Sequence, residues 1–471
     1  MSIRHLALYL VVAGLSIYAW KDWFKSLCGL ILMMVVLEHK DMPSEMMGIQ
    51  GLNPWNVLFI MVASAWAASR QREGLTWDMP RHMNVLMLLC LAVMVFGVLR
   101  AVFDRANIPE YPLKSLISDQ GINTIKWVLP GLLLFDGCRT RHRVVVALSC
   151  ILVVYSLISV QVIRNMPVAA ALSDATVLES ARLSLDRSMA YTSVSISAML
   201  AGASWATLAA LPLVRKKKHQ VLLVAVAGSV VLGQALTGTR AGVIAWGGTG
   251  LVMCLLKWRR YLIFAPIVVV LLPVLFPAAA ERMFRGLGET DAAGEAAVDA
   301  YKASSGRLVV WPYVIDKIGE SPLIGYGRMA MQRTGLQREI CDTELGGVTD
   351  FAHPHNMYLE TLLDNGIIGS LPILLFFGIV LVYSTRLFKS ENRLYSAVGG
   401  MALALTLTQL LAGITAQYFY PISATMMMWA AMFLMLRVHV QEQRTQEIWI
   451  DSTPCAERQA TCLPSQEVMS P

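Results

Sequence analysis

Charge is scarce in this chain: only 15% of its 471 residues are Asp, Glu, Lys or Arg, against roughly 25% in an ordinary soluble domain. With 56% of residues hydrophobic and a mean hydropathy of +0.56, this shortage excludes a soluble fold of such length. It also excludes intrinsic disorder, which needs low hydrophobicity. Cysteine is thin as well. Eight thiols are too few for a disulfide scaffold. Only Cys341 falls on an outward-facing segment, where alone it forms no intramolecular bridge, and the Cys455 to Cys462 spacing matches no zinc pattern. Internal repeats and low-complexity tracts are missing. The net charge of +7 is scattered over short loops, without the basic groove and interleaved aromatics of a nucleic-acid binder.

What is present is a succession of apolar runs, each near the roughly 20 residues that a helix needs to cross a bilayer with its backbone groups satisfied. Thirteen candidate spans lie near residues 5–20, 23–37, 52–68, 83–99, 122–136, 144–163, 189–214, 220–236, 241–256, 261–279, 367–388, 395–413 and 419–436. Lys21 and Asp22 alone separate the first two, so twelve is the competing count. No small-residue cleavage site closes the first run, which therefore reads as a span and not as a signal peptide.

Basic residues mark alternate connections, which sets orientation by the positive-inside rule. One set of loops, from Lys21 and Lys25 through Arg215 to Lys218 and on to Arg393, holds eighteen Lys and Arg; the other short connections hold eight. The sequence thus predicts an all-α polytopic membrane protein, with residues 280–355 facing outward and the tail 437–471 in the cytoplasm. Most of the net charge follows from this topology.

The outward segments carry the residues able to do chemistry. Arg282 and Arg285 follow the tenth span. Ser304, Ser305, Gly306 and Arg307 open a predicted amphipathic helix in which Trp311, Ile315 and Ile318 recur on one face. Pro322, Gly325 and Gly327 mark a tight turn. In Phe351-Ala352-His353-Pro354-His355-Asn356-Met357-Tyr358-Leu359-Glu360, Asn356 suits an N-cap, and the pattern predicts a short helix from Met357 that Gly366 terminates. His353 and His355 would sit before that helix, where free N–H groups favour an anion and a histidine stays neutral, as a general base must. Arg240, in the outward turn Thr237-Gly238-Thr239-Arg240-Ala241-Gly242, needs an acid, a lipid phosphate or a substrate beside it. Arginine forks suit phosphate oxygens, so the group points to a lipid-linked phosphate or pyrophosphate. A zinc site from Asp350, His353 and His355 lacks a clear further ligand. Transport of a small anion or lipid through the bundle is the alternative function. Coupled transporters place acids or histidines near mid-membrane, and here the spans hold little beyond Lys126.

At these residues the chain resembles the O-antigen ligase and polymerase family of bacterial envelope glycosyltransferases. The likeness rests on TGTRAG at 237–242, SGR with a following Trp at 305–311, P-x-x-G-x-G at 322–327, and HPHNMYLE with D-N-G-x-x-G at 353–369; it covers about 225–380. The resemblance implies a GT-C-like inner-membrane enzyme of twelve to thirteen helices with a large periplasmic loop. It implies transfer of a glycan from undecaprenyl pyrophosphate to an acceptor hydroxyl on lipid A core, another glycan or a protein, with inversion, no metal and no cofactor. Carried onto this chain, His355 is the general base or the acceptor-positioning residue, Arg240 and Arg307 bind pyrophosphate, and Arg285 or Arg282 assists; His353, Asn356, Tyr358 and Glu360 are supporting residues. Asp364 stands where many relatives have Glu. The expected organisation is an N-terminal bundle over 1–236, spans with the arginine turn over 237–279, a catalytic loop over 280–366, C-terminal spans over 367–436 and the tail.

Overall fold

The computed structural model describes residues 3–37, 49–166, 175–189, 191–264, 306–344 and 351–452, with a few isolated positions between them. The described chain is helical apart from two pairs of two-residue strands. Seven helices are long and apolar enough to cross a membrane: Arg81–Phe103, Arg141–Asn165, Ser193–Leu213, Lys217–Leu236, Met357–Lys389, Arg393–Ala412 and Ser423–Thr445. Ile3–Ala19, Trp23–Leu37 and Arg240–Leu256 are shorter apolar helices. A multi-pass membrane protein is the plain reading of this set. The greater part of the predicted run 261–279 falls outside the described residues.

Ser193–Ala209, Arg393–Ala412 and the helix beginning at Met426 occupy the centre, with nearly all their side chains buried. Close approach there depends on small residues, which let backbones meet where no hydrophobic gradient drives helices together. A Cβ on Gly202 would lie 3.2 Å from both Ala404 O and Leu405 Cα, and one on Gly400 would lie 2.6 Å from Ala209 Cβ. A Cβ on Gly242 would come within 1.9 Å of Ser197 Oγ. That last contact seats the Arg240–Leu256 helix against the central one and so sets where its first residue, Arg240, stands.

Two elements differ from the sequence expectation. The predicted run 122–136 is broken into Asn123–Lys126 and Leu129–Gly137; Pro130 begins the second piece, and Lys126 lies over the Trp127 ring at 4.2 Å. The last helix runs past 436 to Ser452, because Arg437 and His439 find buried places beside Val438 and Val440. The short helix expected from Met357 is present and breaks at Gly366, where the eleventh span follows on directly.

Candidate functional site

Three of the sequence motifs meet at one end of the bundle. Gly366 adopts φ 61°, ψ −170°, a conformation open to glycine and costly for other residues, and it divides Met357–Lys389 into two helices. A broken helix leaves carbonyls bare on one side and N–H groups on the other. The P-x-x-G-x-G turn satisfies both. Tyr326 N–H donates to Leu363 O (2.9 Å) and Gly327 N–H to Asp364 O (2.6 Å), while Ile367 N–H donates to Pro322 O (2.8 Å) and Ile368 N–H to Leu323 O (3.0 Å). Gly325, at φ 58°, is required for this fit: a Cβ there would lie 2.6 Å from the backbone at Leu363, Asp364 and Gly366.

Beneath the joint lies a buried ionic group. Arg328 donates to Asp364 Oδ2 (2.9 Å), to Gln120 Oε1 (2.6 Å) and, at 3.5 Å, to Glu360 Oε1. Its guanidinium lies 3.4 Å from the Tyr420 ring centre. Asp364 also accepts from Tyr420 Oη (3.0 Å) and from Ala330 N–H (3.2 Å), and Glu360 accepts from Gln417 (3.0 Å). Arg333 donates to Asp104 Oδ2 (2.7 Å) and to Arg328 O (2.8 Å). Asp364 thus holds the joint together. Arg328 and Arg333 had no place in the sequence reading; the only hint was Arg328 directly after the second glycine of the turn.

Above the joint, the histidine segment is laid out by local bonds. Asn356 Oδ1 caps the helix by accepting from Tyr358 N–H (3.0 Å) and Leu359 N–H (3.2 Å), as its sequence position predicts. Met357 N–H donates to Gly413 O (2.8 Å), and Tyr358 Oη donates to Leu410 O (3.0 Å). Trp311 Nε1 donates to Pro354 O (3.0 Å), so the Arg307–Glu320 helix holds the His353-Pro354-His355 arc from the other side. His355 is left-handed, with φ 50°, which is uncommon outside glycine; its N–H donates to His353 Nδ1 (3.2 Å). The two imidazole centres are 4.0 Å apart, and Phe351 meets His355 edge-on at 5.6 Å.

Burial, then the positive charge of Arg307, pushes His355 down to about 4. Burial, His355 and the guanidinium of Arg328 push His353 down to about 3. Both rings are therefore neutral near pH 7. Arg307 donates to two backbone carbonyls, Ser304 O (3.0 Å) and Thr415 O (3.3 Å), and its Nε is buried without a partner. Its pKa is lowered by burial and, secondly, by the neighbouring charge of Arg240. Among the described residues no carboxylate pairs with Arg307. Of the sequence candidates, then, Arg240, Arg307, His353, His355, Asn356 and Tyr358 are gathered at this end, and Glu360 belongs to the ionic group below. Arg282, Arg285 and Asp350 lie outside the described residues.

Residues 221–374 match the family model described as O-antigen ligase, which agrees with the stretch that carries the motif resemblance. A Rickettsia conorii (strain Malish 7) protein provisionally named a polysaccharide ligase is 25% identical over 212 residues. That alignment takes in 43% of this chain and 47% of the relative, so the chain spans about half the length of that protein.

Proposed function

From the O-antigen ligase match over residues 221–374, we propose that this protein transfers a glycan from undecaprenyl pyrophosphate to an acceptor hydroxyl at the periplasmic face of the bacterial inner membrane. Arg307 carries the reading. It is a largely buried guanidinium with a second arginine beside it and, among the described residues, only backbone carbonyls as hydrogen-bond partners, which is costly without an anion and well suited to a doubly charged one.

In this reading Arg240 and Arg307 hold the pyrophosphate, with Arg282 or Arg285 assisting. Their forks take up the charge that grows on the leaving phosphate oxygen as its bond to the anomeric carbon breaks. His355, neutral through burial, accepts the proton of the acceptor hydroxyl as that oxygen bonds to the same carbon from the opposite face. The configuration inverts and undecaprenyl pyrophosphate departs. No metal enters the scheme. His353 orients His355 through the backbone bond between them. Asn356 and Tyr358 fix the start of the helix, and Glu360 fixes Arg328. The apolar cavity of about 200 Å³ against Tyr420, walled by Phe376, Phe377 and Trp429, suits part of the isoprenoid chain. The acceptor is lipid A core, another lipid-linked glycan or a protein.

The test is His355→Ala in membranes supplied with lipid-linked glycan and acceptor. Removing a general base lowers transfer by about 100-fold or more, with the protein still present in the membrane at its normal level. Unchanged transfer would falsify the assigned role.

A further inference from the structure

A second cavity lies at the end of the bundle remote from His355. It measures about 770 Å³ and opens among Ser193–Ala209, Lys217–Leu236 and Arg240–Leu256, with Arg260, Tyr261 and Phe264 at its rim. Arg240 begins its seventeen-residue helix at the histidine site, and Leu256 ends it, about 24 Å away. The lining residues Trp246, Gly250 and Cys254 step down the far part of that helix, so the cavity is separate from the arginine pair.

Its walls are built to be apolar. Trp205 Nε1 donates to Trp246 O (2.9 Å), and Trp246 Nε1 donates to Ser204 Oγ (3.0 Å). With both indole N–H groups used inside the protein, the two rings, stacked at 5.4 Å, offer only carbon to the cavity. Gly250 makes room for this arrangement, since a Cβ there would come within 2.2 Å of Trp205 Cζ2. Gly247, which also lines the cavity, faces open space, with nothing within 4 Å of an added Cβ.

Polarity is confined to the rim, where cations predominate and Glu391 faces Lys257. From Leu211 to Phe264 there is no Asp or Glu, while Arg215 to Lys218, Lys257, Arg259 and Arg260 cluster at this end. Lys257 is engaged by Phe388 O (2.8 Å), Ser390 O (3.2 Å) and Ser396 Oγ (2.8 Å). Arg260 has a lighter hold, donating to its neighbour Tyr261 Oη (2.9 Å). Membrane topology explains an excess of cations in a loop. It requires neither a cavity of this size behind them nor three tryptophans around it.

We infer that this cavity binds one anionic glycerophospholipid of the adjacent leaflet, with an acyl chain among Trp205, Trp246 and Trp258 and the phosphate on Arg260. Basic pockets between membrane helices take anionic headgroups in this way, and the volume falls within the range of small-molecule sites. The cavity is distinct from the proposed catalytic residues, and its occupancy is measured without any transfer reaction.

Native mass spectrometry of the full-length protein in detergent tests this, with phosphatidylglycerol and phosphatidylcholine of identical chains as probes. Phosphatidylglycerol is expected to be retained as a single molecule with about tenfold preference. The exposed substitution Arg260→Ala lowers that preference by roughly fivefold, and Gly247→Phe, which fills the cavity, lowers retention of both lipids. Equal retention of the two lipids by the wild-type protein overturns the assignment. So does undiminished retention by a Gly247→Phe protein that melts normally, or displacement of phosphatidylglycerol by an equal amount of a polyprenyl phosphate.

Discussion

The arginines at the two ends of the Arg81–Phe103 helix are used alike, and Arg307 is used differently. Just before its first turn, Asp78 takes Arg139 (2.8 Å), Arg437 (2.6 Å) and Arg444 (2.7 Å), and Asp136 takes Arg70 (2.9 Å) and Arg139 (3.0 Å). Every one of those cations has a carboxylate. Near the helix's other end, Arg328 and Arg333 are matched in the same manner by Asp364 and Asp104. Arg307 is not: among the described residues, carbonyl oxygens are its hydrogen-bond partners. Matched pairs tie helices from distant parts of the chain into one body. A half-buried guanidinium with no carboxylate partner among the described residues contributes nothing comparable to folding, and its position suits an anion that arrives from outside.

The comparison breaks most visibly at Asp78. Asp78→Asn leaves Arg437, whose side chain is 1% exposed, without its anion, at an expected cost of about 3 kcal/mol. The melting temperature in detergent falls, while the transfer rate per folded molecule is kept; an unchanged melt would show that the network is not structural. Arg307→Lys works the other way. Charge is retained and the planar fork is lost, so transfer drops roughly tenfold and the melt stays put. A lower melting temperature with normal transfer would move Arg307 into the structural class.

The smallest expected effect is on pH dependence. Because burial and Arg307 hold the folded-state pKa of His355 at about 4, the ring is neutral above that value and protonated below it. The acid limb of transfer in the enzyme before donor binds is therefore expected near pH 4, well below the ordinary histidine range of about 6.5. Initial rates measured across pH 3.5 to 8 check this. A limb at about 6.5 would show that neither burial nor the guanidinium governs the ring. Arg307→Gln, which removes one of the two depressing influences, should shift the limb upward.

Much of the site could be read locally. Asn356 as N-cap, Gly366 as terminator, the helix opening at Arg307 and the turn at Pro322 to Gly327 all follow from the conformational preferences of single residues, and all are present. What stayed hidden depends on partners far away in the chain. Arg328 meets Gln120, 208 positions earlier, and Asp364, 36 positions later; nothing in the spacing of those residues announces the contact. The docking of the Pro322 turn on the Gly366 break is similarly invisible, since each motif alone looks like a simple stop. Hydropathy also misjudged the residues after 436. Arg437 and His439 look like the onset of a polar tail, yet both are buried because acids and aromatics from other helices receive them: Arg437 donates to Asp78 and lies over Phe135 at 4.0 Å, and His439 stacks on Tyr383 at 3.9 Å.

The Gly366 break also has a bearing on depth. An unbroken helix of the 33 residues from Met357 to Lys389 would be about 50 Å long, well beyond the hydrocarbon thickness of about 30 Å. Divided at Gly366, the longer piece of 23 residues spans about 34 Å, close to what one bilayer accommodates, and the other piece is a short stub. The glycine acts as a waterline gauge. Under the proposed function, it would set the imidazoles at the plane where a carrier's headgroup leaves the oil and a sugar hydroxyl arrives from water, so that neither partner would have to change solvent to reach the other.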